Sequence, residues 1–263
     1  MLSYQHAYHA GNAADLHKHV ALAVLLERLT EKPRGISYLE SHAGRGLYDL
    51  SGAEARKTGE AEGGIGRMAP EALPAPFARA IAACRAAHGA EAYPGSPALA
   101  AALLRAQDRM ALCELHPGEH AALRQAMAGG PVPVALHRRD GHEGLLALAP
   151  PTPRRGLALI DPSYEVKDEY ARSAATLLAL VRRWPQGVAM LWYPILPAGR
   201  HEAMAARVMA AGPAAALRHE VRFRERPERG MQGSGLLILG LPHGAEAALR
   251  TALAGCAAVF EAG

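Results

Sequence analysis

The amino-acid sequence predicts an α/β fold built on a seven-stranded, mostly parallel sheet. Short apolar runs alternate with Ala- and Leu-rich helical stretches along the chain. The first five runs end near polar or glycine residues, as parallel strands covered on both faces usually do. The last two runs are separated only by a loop, so they should pair antiparallel. Together these features indicate an α/β sandwich that ends in a hairpin.

The apolar runs define the strands, and the stretches between them define the helices. The predicted strands are residues 36–40, 111–114, 134–137, 157–160, 188–193, 217–223 and 236–241. The predicted helices between the strands are residues 97–107, 117–128, 169–183 and 201–211. An earlier helix begins near Asp15. This alternation is typical of strand–helix–strand units.

One connection is longer than a simple crossover requires. About seventy residues separate the first strand from the second, and compact domains rarely contain such a connection without structure of its own. Residues 51–94 contain several Gly and Pro breakers around an apolar helical stretch, residues 75–87. We therefore predict a core of residues 1–50 and 95–263 with a small helical insertion at residues 51–94.

Composition excludes several classes of protein. No apolar run approaches the roughly 18 residues of a membrane span, and the N-terminus lacks the basic start and apolar stretch of a signal peptide. The three cysteines, Cys84, Cys113 and Cys256, lie far apart, which argues against a disulfide framework. We expect a cytoplasmic protein without a membrane partner.

The basic residues are almost all arginines. The chain has 29 Lys and Arg, of which only Lys18, Lys32, Lys57 and Lys167 are lysines, and its net charge is +4. The planar guanidinium suits phosphates and base edges. This balance permits a nucleic-acid partner without requiring one.

The first motif is Glu40-Ser41-His42-Ala43-Gly44-Arg45-Gly46, in which a strand ends in an acid and enters a tight Gly-x-Gly turn. Glycines at such a turn let the backbone approach a ligand, and the following amides can donate to it. A dinucleotide fingerprint would need a third glycine where Asp49 stands. A plain strand-to-helix turn remains an equal alternative.

Acids also follow the second and third strands. Glu114 is placed to accept the hydroxyls of a ribose, and Asp140, followed by Gly141, is placed to accept from an adenine amine. Either residue alone is more often a helix N-cap.

The fourth strand is followed directly by Asp161-Pro162-Ser163-Tyr164. The N6 amine of adenine is a poor nucleophile, because its lone pair is delocalised into the ring. The Asp161 carboxylate and the Pro162 carbonyl could accept both amine protons and free that lone pair, while Tyr164 stacks on the purine. The alternative is a proline turn that ends a buried strand.

The N-terminal segment is rich in histidine: it contains His6, His9, His17 and His19 beside Lys18. A zinc site is disfavoured, because no Cys or carboxylate motif accompanies these histidines. In addition, His17 and His19 should lie on different faces of their helix. Helix capping, surface positions or a basic edge facing RNA explain the histidines better, and we predict no metal site.

Several blocks then identify a family. They are MLSYQHAYHAGNAAD followed by Lys18-His19, YLESHAGRGLYDL, YPGSP at residues 93–97, ELHP at residues 114–117, Asp140-Gly141, RRGLALIDPSYE and LWYP at residues 191–194. In this order they resemble the RlmJ family of bacterial ribosomal RNA methyltransferases. Members of that family transfer a methyl group from S-adenosylmethionine to adenine N6 in 23S ribosomal RNA.

The resemblance implies a Rossmann-like class I S-adenosylmethionine-dependent methyltransferase core with an inserted helical subdomain. It implies cofactor contacts at His19, His42, Ser96, Glu114, Asp140, Gly141 and Asp161, to which we add Lys18 and Gly44. It also implies an RNA contact at Tyr4, to which we add His6 and Tyr164. We expect Asp161, Pro162 and Tyr164 to be catalytic, 23S rRNA to be the partner, and the protein to be a monomer.

One departure from the family pattern is Ser163, where members usually have a second proline. This serine leaves the acid, the carbonyl and the aromatic ring in place, so we expect it to affect the rate of the reaction more than its type. Two alternatives stay open at this point. One is the same transfer to DNA or protein, and the other is a non-catalytic RNA-binding module on this fold.

Overall fold

A computed structural model describes residues 5–166, 168–224 and 230–261. Tyr4 and part of the loop before the last strand therefore lie outside the described residues. Within them, the strands are β1 (Ser37–Glu40), β2 (Leu47–Asp49), β3 (Ala92–Pro94), β4 (Arg109–Cys113), β5 (Val134–His137), β6 (Gly156–Ile160), β7 (Gly187–Ile195), β8 (Ala216–Arg222) and β9 (Gly233–Leu239).

The predicted seven-stranded sheet is confirmed, with the strand order β5-β4-β1-β6-β7-β9-β8. The first five strands in this order are parallel. β1 is the middle one of these five, and its Tyr38 pairs with both Met110 and Leu157. β9 pairs antiparallel with β8, as the short connection between the last two strands predicted, and it also pairs antiparallel with β7.

The helices surround this sheet. Within the described residues they are α1 (Ala13–Thr30), α2 (Ala53–Thr58), α3 (Ala75–His88), α4 (Ser96–Leu103), α5 (Pro117–Ala126), α6 (Gly141–Leu148), α7 (Glu169–Arg183), α8 (Arg200–Ala211) and α9 (Ala245–Ala254). Four predicted helices match to within a few residues. Helix α4 ends before its predicted end, because Asp108 accepts from the Arg105 backbone amide and guanidinium and turns the chain into β4.

The two faces of the sheet contact separate apolar clusters. In β6, Leu157 and Leu159 belong to the cluster that contains α1, α3 and α9, while Ala158 and Ile160 belong to the cluster that contains α7 and α8. All four side chains are fully buried. Because both faces are covered, the central strands are continuous apolar runs, which made them detectable in the sequence.

The long connection after β1 contains an antiparallel ribbon, β2–β3, that the sequence did not predict. Tyr48 pairs with Tyr93 across the ribbon, and α2, three short 3-10 turns and α3 lie between its two strands. Three-residue strands carry too few residues for a periodic pattern. The division of the chain into a core and an insertion of residues 51–94 stays a prediction.

Two further findings concern composition. Cys84, Cys113 and Cys256 are buried free thiols. Among the described residues, no helix combines the length and apolar character needed to cross a bilayer.

Candidate active site

A cavity of about 390 Å³ opens at the carboxyl ends of the central strands. Its volume lies within the range of ordinary ligand pockets. The turn after β1, the end of β4, the segment after β6 and the end of β7 all contribute to its wall, together with α1. The predicted site residues that line it are His6, Lys18, His19, His42, Gly44, Ser96, Glu114, Asp161, Pro162 and Tyr164.

The segment after β6 forms one wall of this cavity. The Asp161 backbone amide donates to Ser41 Oγ at 3.2 Å, which fixes the segment against the end of β1. Pro162 is buried, whereas Ser163 is exposed. Tyr164 has a φ of +56°, a conformation that few non-glycine residues adopt. Its hydroxyl donates to the Trp192 carbonyl at 2.8 Å. The segment Asp161–Tyr164, called the corner below, therefore borders an open cavity, as its predicted role requires.

A buried lysine connects this corner to α1. Lys18 Nζ donates to Asp161 Oδ2 at 2.7 Å and lies 2.9 Å from Asp15 Oδ1. The lysine side chain is 5% exposed and that of Asp161 is 12% exposed. Burial opposes the charge of Lys18, but the two carboxylates outweigh it and raise the pKa of the lysine above its usual value. The site therefore contains a fixed ammonium between two carboxylates.

Asp15 joins the N-terminal segment to the same network. Its Oδ2 accepts from the Gly11 amide at 3.0 Å and lies 2.9 Å from His6 Nε2. Burial opposes ionisation, yet the charges of His6 and Lys18 hold the pKa of Asp15 well below its usual range. The carboxylate thus orders both the chain before α1 and the lysine within it.

Two histidines of α1 do not lie at the surface, contrary to the expectation for this segment. His17 and His19 are almost completely buried, because α1 packs between the sheet and helices α3, α4 and α9. As predicted, they lie on different faces. His19 Nδ1 is 2.9 Å from the Tyr93 hydroxyl, whereas His17 Nδ1 is 2.8 Å from Ser234 Oγ. Burial lowers the pKa of His19 to about 3, so it is neutral.

The glycine turn after β1 is connected to the end of β4. Gly44 has a φ of +58°, which favours glycine, and its amide donates to Glu114 Oε2 at 2.8 Å. Glu114 Oε1 accepts from the His116 amide at 2.7 Å. His116, and not Glu114, caps α5. Burial raises the pKa of Glu114, although these amides oppose the shift.

Beside this turn, His42 contributes a neutral imidazole to the cavity wall. Its Nδ1 lies 2.7 Å from Ser41 Oγ. Burial lowers the pKa of His42 to about 4, and the neighbouring His142 adds to this effect. At neutral pH the ring therefore offers one donor and one acceptor without charge.

Two predicted cofactor residues do not line the cavity. Asp140 caps α6 by accepting from the Glu143 amide at 3.0 Å, and it pairs with Arg172 at 2.7 Å. Gly141 lies so close to β1 that a Cβ there would be 1.9 Å from the Ser41 carbonyl oxygen. The cap that the sequence left as the alternative for Asp140 is present.

Glu40, the acid at the end of β1, is buried behind the cavity. Its carboxylate accepts from the Tyr38 hydroxyl at 2.8 Å and from the Ser96 hydroxyl. Burial raises the pKa of Glu40 to about 8, although both hydroxyls oppose the shift. Glu40 thereby fixes the orientation of Ser96, which does line the cavity.

This raised pKa predicts a pH-dependent effect of the substitution Glu40→Gln. Between pH 4.5 and 8 the folded protein keeps a proton that the unfolded chain has lost, so the stability contributed by Glu40 falls as the pH rises. The difference in unfolding free energy between wild type and Glu40→Gln should therefore decrease over this range, by at most about 1.4 kcal/mol per pH unit. Urea unfolding at pH 5, 6, 7 and 8 measures it. A difference that stays constant would contradict the assignment.

The sequence did not single out two important side chains of the site. Asp15 was noted only as a helix start, although an acid and a lysine three residues apart in an apolar helix are a usable signal for a buried ion pair. Trp192 lines the cavity with its ring centroid 5.6 Å from Lys18 Nζ. It lies within a strand, where a tryptophan is ordinarily part of the core.

Comparisons with known proteins agree on one family. A family model described as ribosomal RNA large subunit methyltransferase D, RlmJ, matches residues 33–260. A relative from Haemophilus influenzae named "Ribosomal RNA large subunit methyltransferase J" is 38% identical over 248 residues, covering 92% of this chain and 88% of its own. A relative of the same name from Escherichia coli is 36% identical over 247 residues with the same coverage.

Solved structures extend the comparison. Protein LPL1258 from Legionella pneumophila is similar with a TM-score of 0.87 and 34% identity, covering 96% of this chain and 94% of that one. A SAM-dependent methyltransferase from Agrobacterium tumefaciens has a TM-score of 0.51 at 10% identity and covers 85% of this chain and 61% of that chain. The second likeness concerns the fold alone, and it agrees with the predicted α/β fold.

Proposed function

Because the chain belongs to the RlmJ family of ribosomal RNA large subunit methyltransferases, we propose that this S-adenosylmethionine-dependent enzyme methylates the N6 amine of an adenine in 23S rRNA. The observation that carries the proposal is the Asp161–Tyr164 corner, which borders the same cavity as Gly44 and Glu114. The amine would meet the corner, and the cofactor would lie along the glycine turn.

The residues present suit S-adenosylmethionine. Glu114 offers carboxylate oxygens at the end of β4, where ribose hydroxyls are usually bound. Gly44 lines the cavity and has no side chain, so a ligand can approach the backbone of the turn at this residue. We assign cofactor contacts to Lys18, His19, His42, Gly44, Ser96, Glu114, Asp140, Gly141 and Asp161. Asp140 and Gly141 lie outside the cavity wall, and for these two residues the assignment rests on the resemblance to the RlmJ family.

When bound, the cofactor supplies a methyl group on a positively charged sulfur. The protein's own part is to orient the acceptor. Lys18 occupies Asp161 Oδ2, which leaves Oδ1 and the Pro162 carbonyl to accept the two amine protons. Because Lys18 already binds one oxygen of the carboxylate, we assign Asp161 an orienting role. Holding the reactants in line can contribute roughly 7–11 kcal/mol.

The RNA side of the site follows from the same geometry. An adenine within RNA must leave its stacked surroundings to reach the corner, where Tyr164 offers an aromatic face. His6 lies at the cavity through its contact with Asp15, and we assign it and Tyr4 to the RNA. The enzyme is proposed to act as a monomer in the cytoplasm.

A substrate panel tests the proposal. Purified protein and labelled S-adenosylmethionine are incubated with 23S rRNA fragments, DNA and a protein mixture, and binding of the cofactor is measured by calorimetry. Label in the rRNA alone supports the proposal. Label in DNA or protein would show that the acceptor is that substrate and not rRNA. Binding of rRNA without cofactor binding or methyl transfer would favour a non-catalytic module.

A further inference from the structure

Trp192 lines the cavity, and the ammonium of Lys18 lies over its ring. Its ring lies 5.6 Å from Lys18 Nζ, and the Tyr164 ring meets it edge-on with 5.8 Å between centroids. The Tyr164 ring also contacts Tyr170, with 4.5 Å between their centroids. Part of Tyr164 is thus already covered by another ring. Trp192, half-buried at the cavity wall, offers a further aromatic surface for a flat ligand.

The indole is held by a chain of buried hydrogen bonds. Trp192 Nε1 donates to Ser234 Oγ at 2.8 Å, and Ser234 Oγ lies 2.8 Å from His17 Nδ1. On the other side of its ring, His17 Nε2 lies 3.0 Å from His219 Nδ1. Ser234 and His17 are completely buried. The chain therefore connects the cavity wall to β8 through α1 and β9.

The chemistry of these groups fixes the direction of the chain. An indole nitrogen can only donate, so Ser234 Oγ accepts from Trp192. Among the described contacts, the acceptor for the Ser234 hydroxyl proton is His17 Nδ1. His17 then carries its proton on Nε2 and donates to His219. Burial and the neighbouring His219 lower the pKa of His17 well below its usual value, which keeps the ring neutral as this arrangement requires.

The backbone does not need this chain. Trp192 pairs with Leu236, and Ser234 pairs with Pro194, in the antiparallel register of β7 and β9. The ladder between the two strands therefore places the Cα of Trp192 whether or not Ser234 has a hydroxyl. What the hydroxyl adds is the orientation of the indole side chain.

We propose that Ser234 and His17 are positioning residues that hold the Trp192 indole as a fixed stacking wall for the purine that is methylated. This inference rests on the proposed function, because the purine is the target adenine of the rRNA. A base stacked on an aromatic side chain gains from a ring held in one plane, since the ring loses less conformational freedom on binding.

Kinetics of Ser234→Ala test this role. At saturating S-adenosylmethionine, kcat/KM for an rRNA fragment should fall about three- to ten-fold, the amount that one hydrogen bond can contribute. The affinity for S-adenosylmethionine should stay within two-fold. The matched control is Ser37→Ala. Like Ser234, Ser37 is a buried serine in a strand, and its hydroxyl donates to the Pro153 carbonyl. It lies at the start of β1, at the end of the strand away from the cavity. This variant should leave both quantities unchanged.

A double-mutant cycle separates positioning from general destabilisation. Trp192→Phe keeps a ring but has no N–H to donate, so adding Ser234→Ala to it should cause no further loss of kcat/KM. Equal losses with and without the indole would overturn the proposal. So would a parallel loss in Ser37→Ala, or a parallel loss of cofactor affinity.

Fluorescence distinguishes failure of this inference from failure of the proposed function. The chain has two tryptophans, and Trp184 is fully buried away from the cavity. With S-adenosylhomocysteine present, which has no methyl to transfer, the rRNA fragment should quench Trp192 in the wild type and less in Ser234→Ala. Quenching without methylation of rRNA in the activity assay contradicts the proposed function alone. If the wild type methylates rRNA, and Ser234→Ala has the same kinetics and the same quenching as the wild type, this inference alone is contradicted.

Discussion

Replacing Asp161 by alanine should reduce the turnover of methyl transfer to rRNA about 100- to 1,000-fold, the usual effect of removing one preorganised polar group from a reaction centre. The carboxylate stands at the end of β6, fixed by Lys18 and by the bond from its own amide to Ser41. Without it, the adenine amine loses one of its two proposed acceptors. Steady-state kinetics with labelled S-adenosylmethionine measures the loss, and calorimetry measures cofactor binding in parallel.

The matched control is Asp168→Ala. Asp168 is an exposed acid on the same connection between β6 and α7, and its side chain makes no capping hydrogen bond. This variant should keep its turnover within about two-fold. If Asp161→Ala kept the turnover of the wild type, the assignment of Asp161 to the reaction centre would be wrong.

Replacing Lys18 by methionine should lower the free energy of unfolding by about 3–5 kcal/mol, the usual cost of leaving buried carboxylates without their cation. Methionine has a similar length, so the loss is mainly one of charge. In the wild type, the ammonium lies 2.9 Å from a carboxylate oxygen of Asp15 and 2.7 Å from one of Asp161. In the variant, both carboxylates would lose this cation. Urea unfolding at pH 7 measures the change.

The pH dependence of this loss follows from Asp15. In the wild type its pKa is held well below the usual value, so its contribution to stability is present at neutral pH and disappears as the pH falls through that lowered pKa. Without Lys18 this contribution decreases, so the deficit of Lys18→Met should be smaller at pH 4 than at pH 7. A deficit independent of pH would contradict this explanation.

Two further variants serve as controls. Adding Asp15→Asn to Lys18→Met removes the buried carboxylate charge that no longer has its lysine partner. The double variant should therefore recover part of the lost stability, so the effects of the two substitutions should not be additive. Lys32→Met removes an exposed lysine just beyond α1 and should change stability by less than about 0.5 kcal/mol. A loss in Lys32→Met equal to that in Lys18→Met would exclude the buried ion pairs as the cause.

The sheet could be predicted because its strands carry their own signal. Residues 157–160 are apolar on both faces, and the polar residues after them begin at Asp161. The same rule located Glu114 and the turn at Gly44. The ribbon β2–β3 could not be found in this way, because each strand is three residues long and its pairing depends on contact between distant segments.

The arrangement within the site depends on contacts that no local pattern contains. The Ser234–His17 contact joins residues 217 positions apart, and Lys18 reaches Asp161 across 143 positions. For the histidines of α1, the sequence favoured helix capping, surface positions or a basic edge facing RNA. The helix is nonetheless covered on nearly all sides, and the buried rings of His17 and His19 contact the hydroxyls of Ser234 and Tyr93. The positive φ of Tyr164 likewise has no signature in the sequence.

The most direct test of the central claim is the identity of the methylated nucleoside. A 23S rRNA fragment is treated with the enzyme and S-adenosylmethionine, digested to nucleosides and analysed by mass spectrometry against synthetic standards. A corner that holds an exocyclic purine amine between Asp161 and the Pro162 carbonyl predicts N6-methyladenosine as the product, and almost none of it with Asp161→Ala. A methyl group on a ribose, on a ring carbon or on a pyrimidine would contradict that geometry.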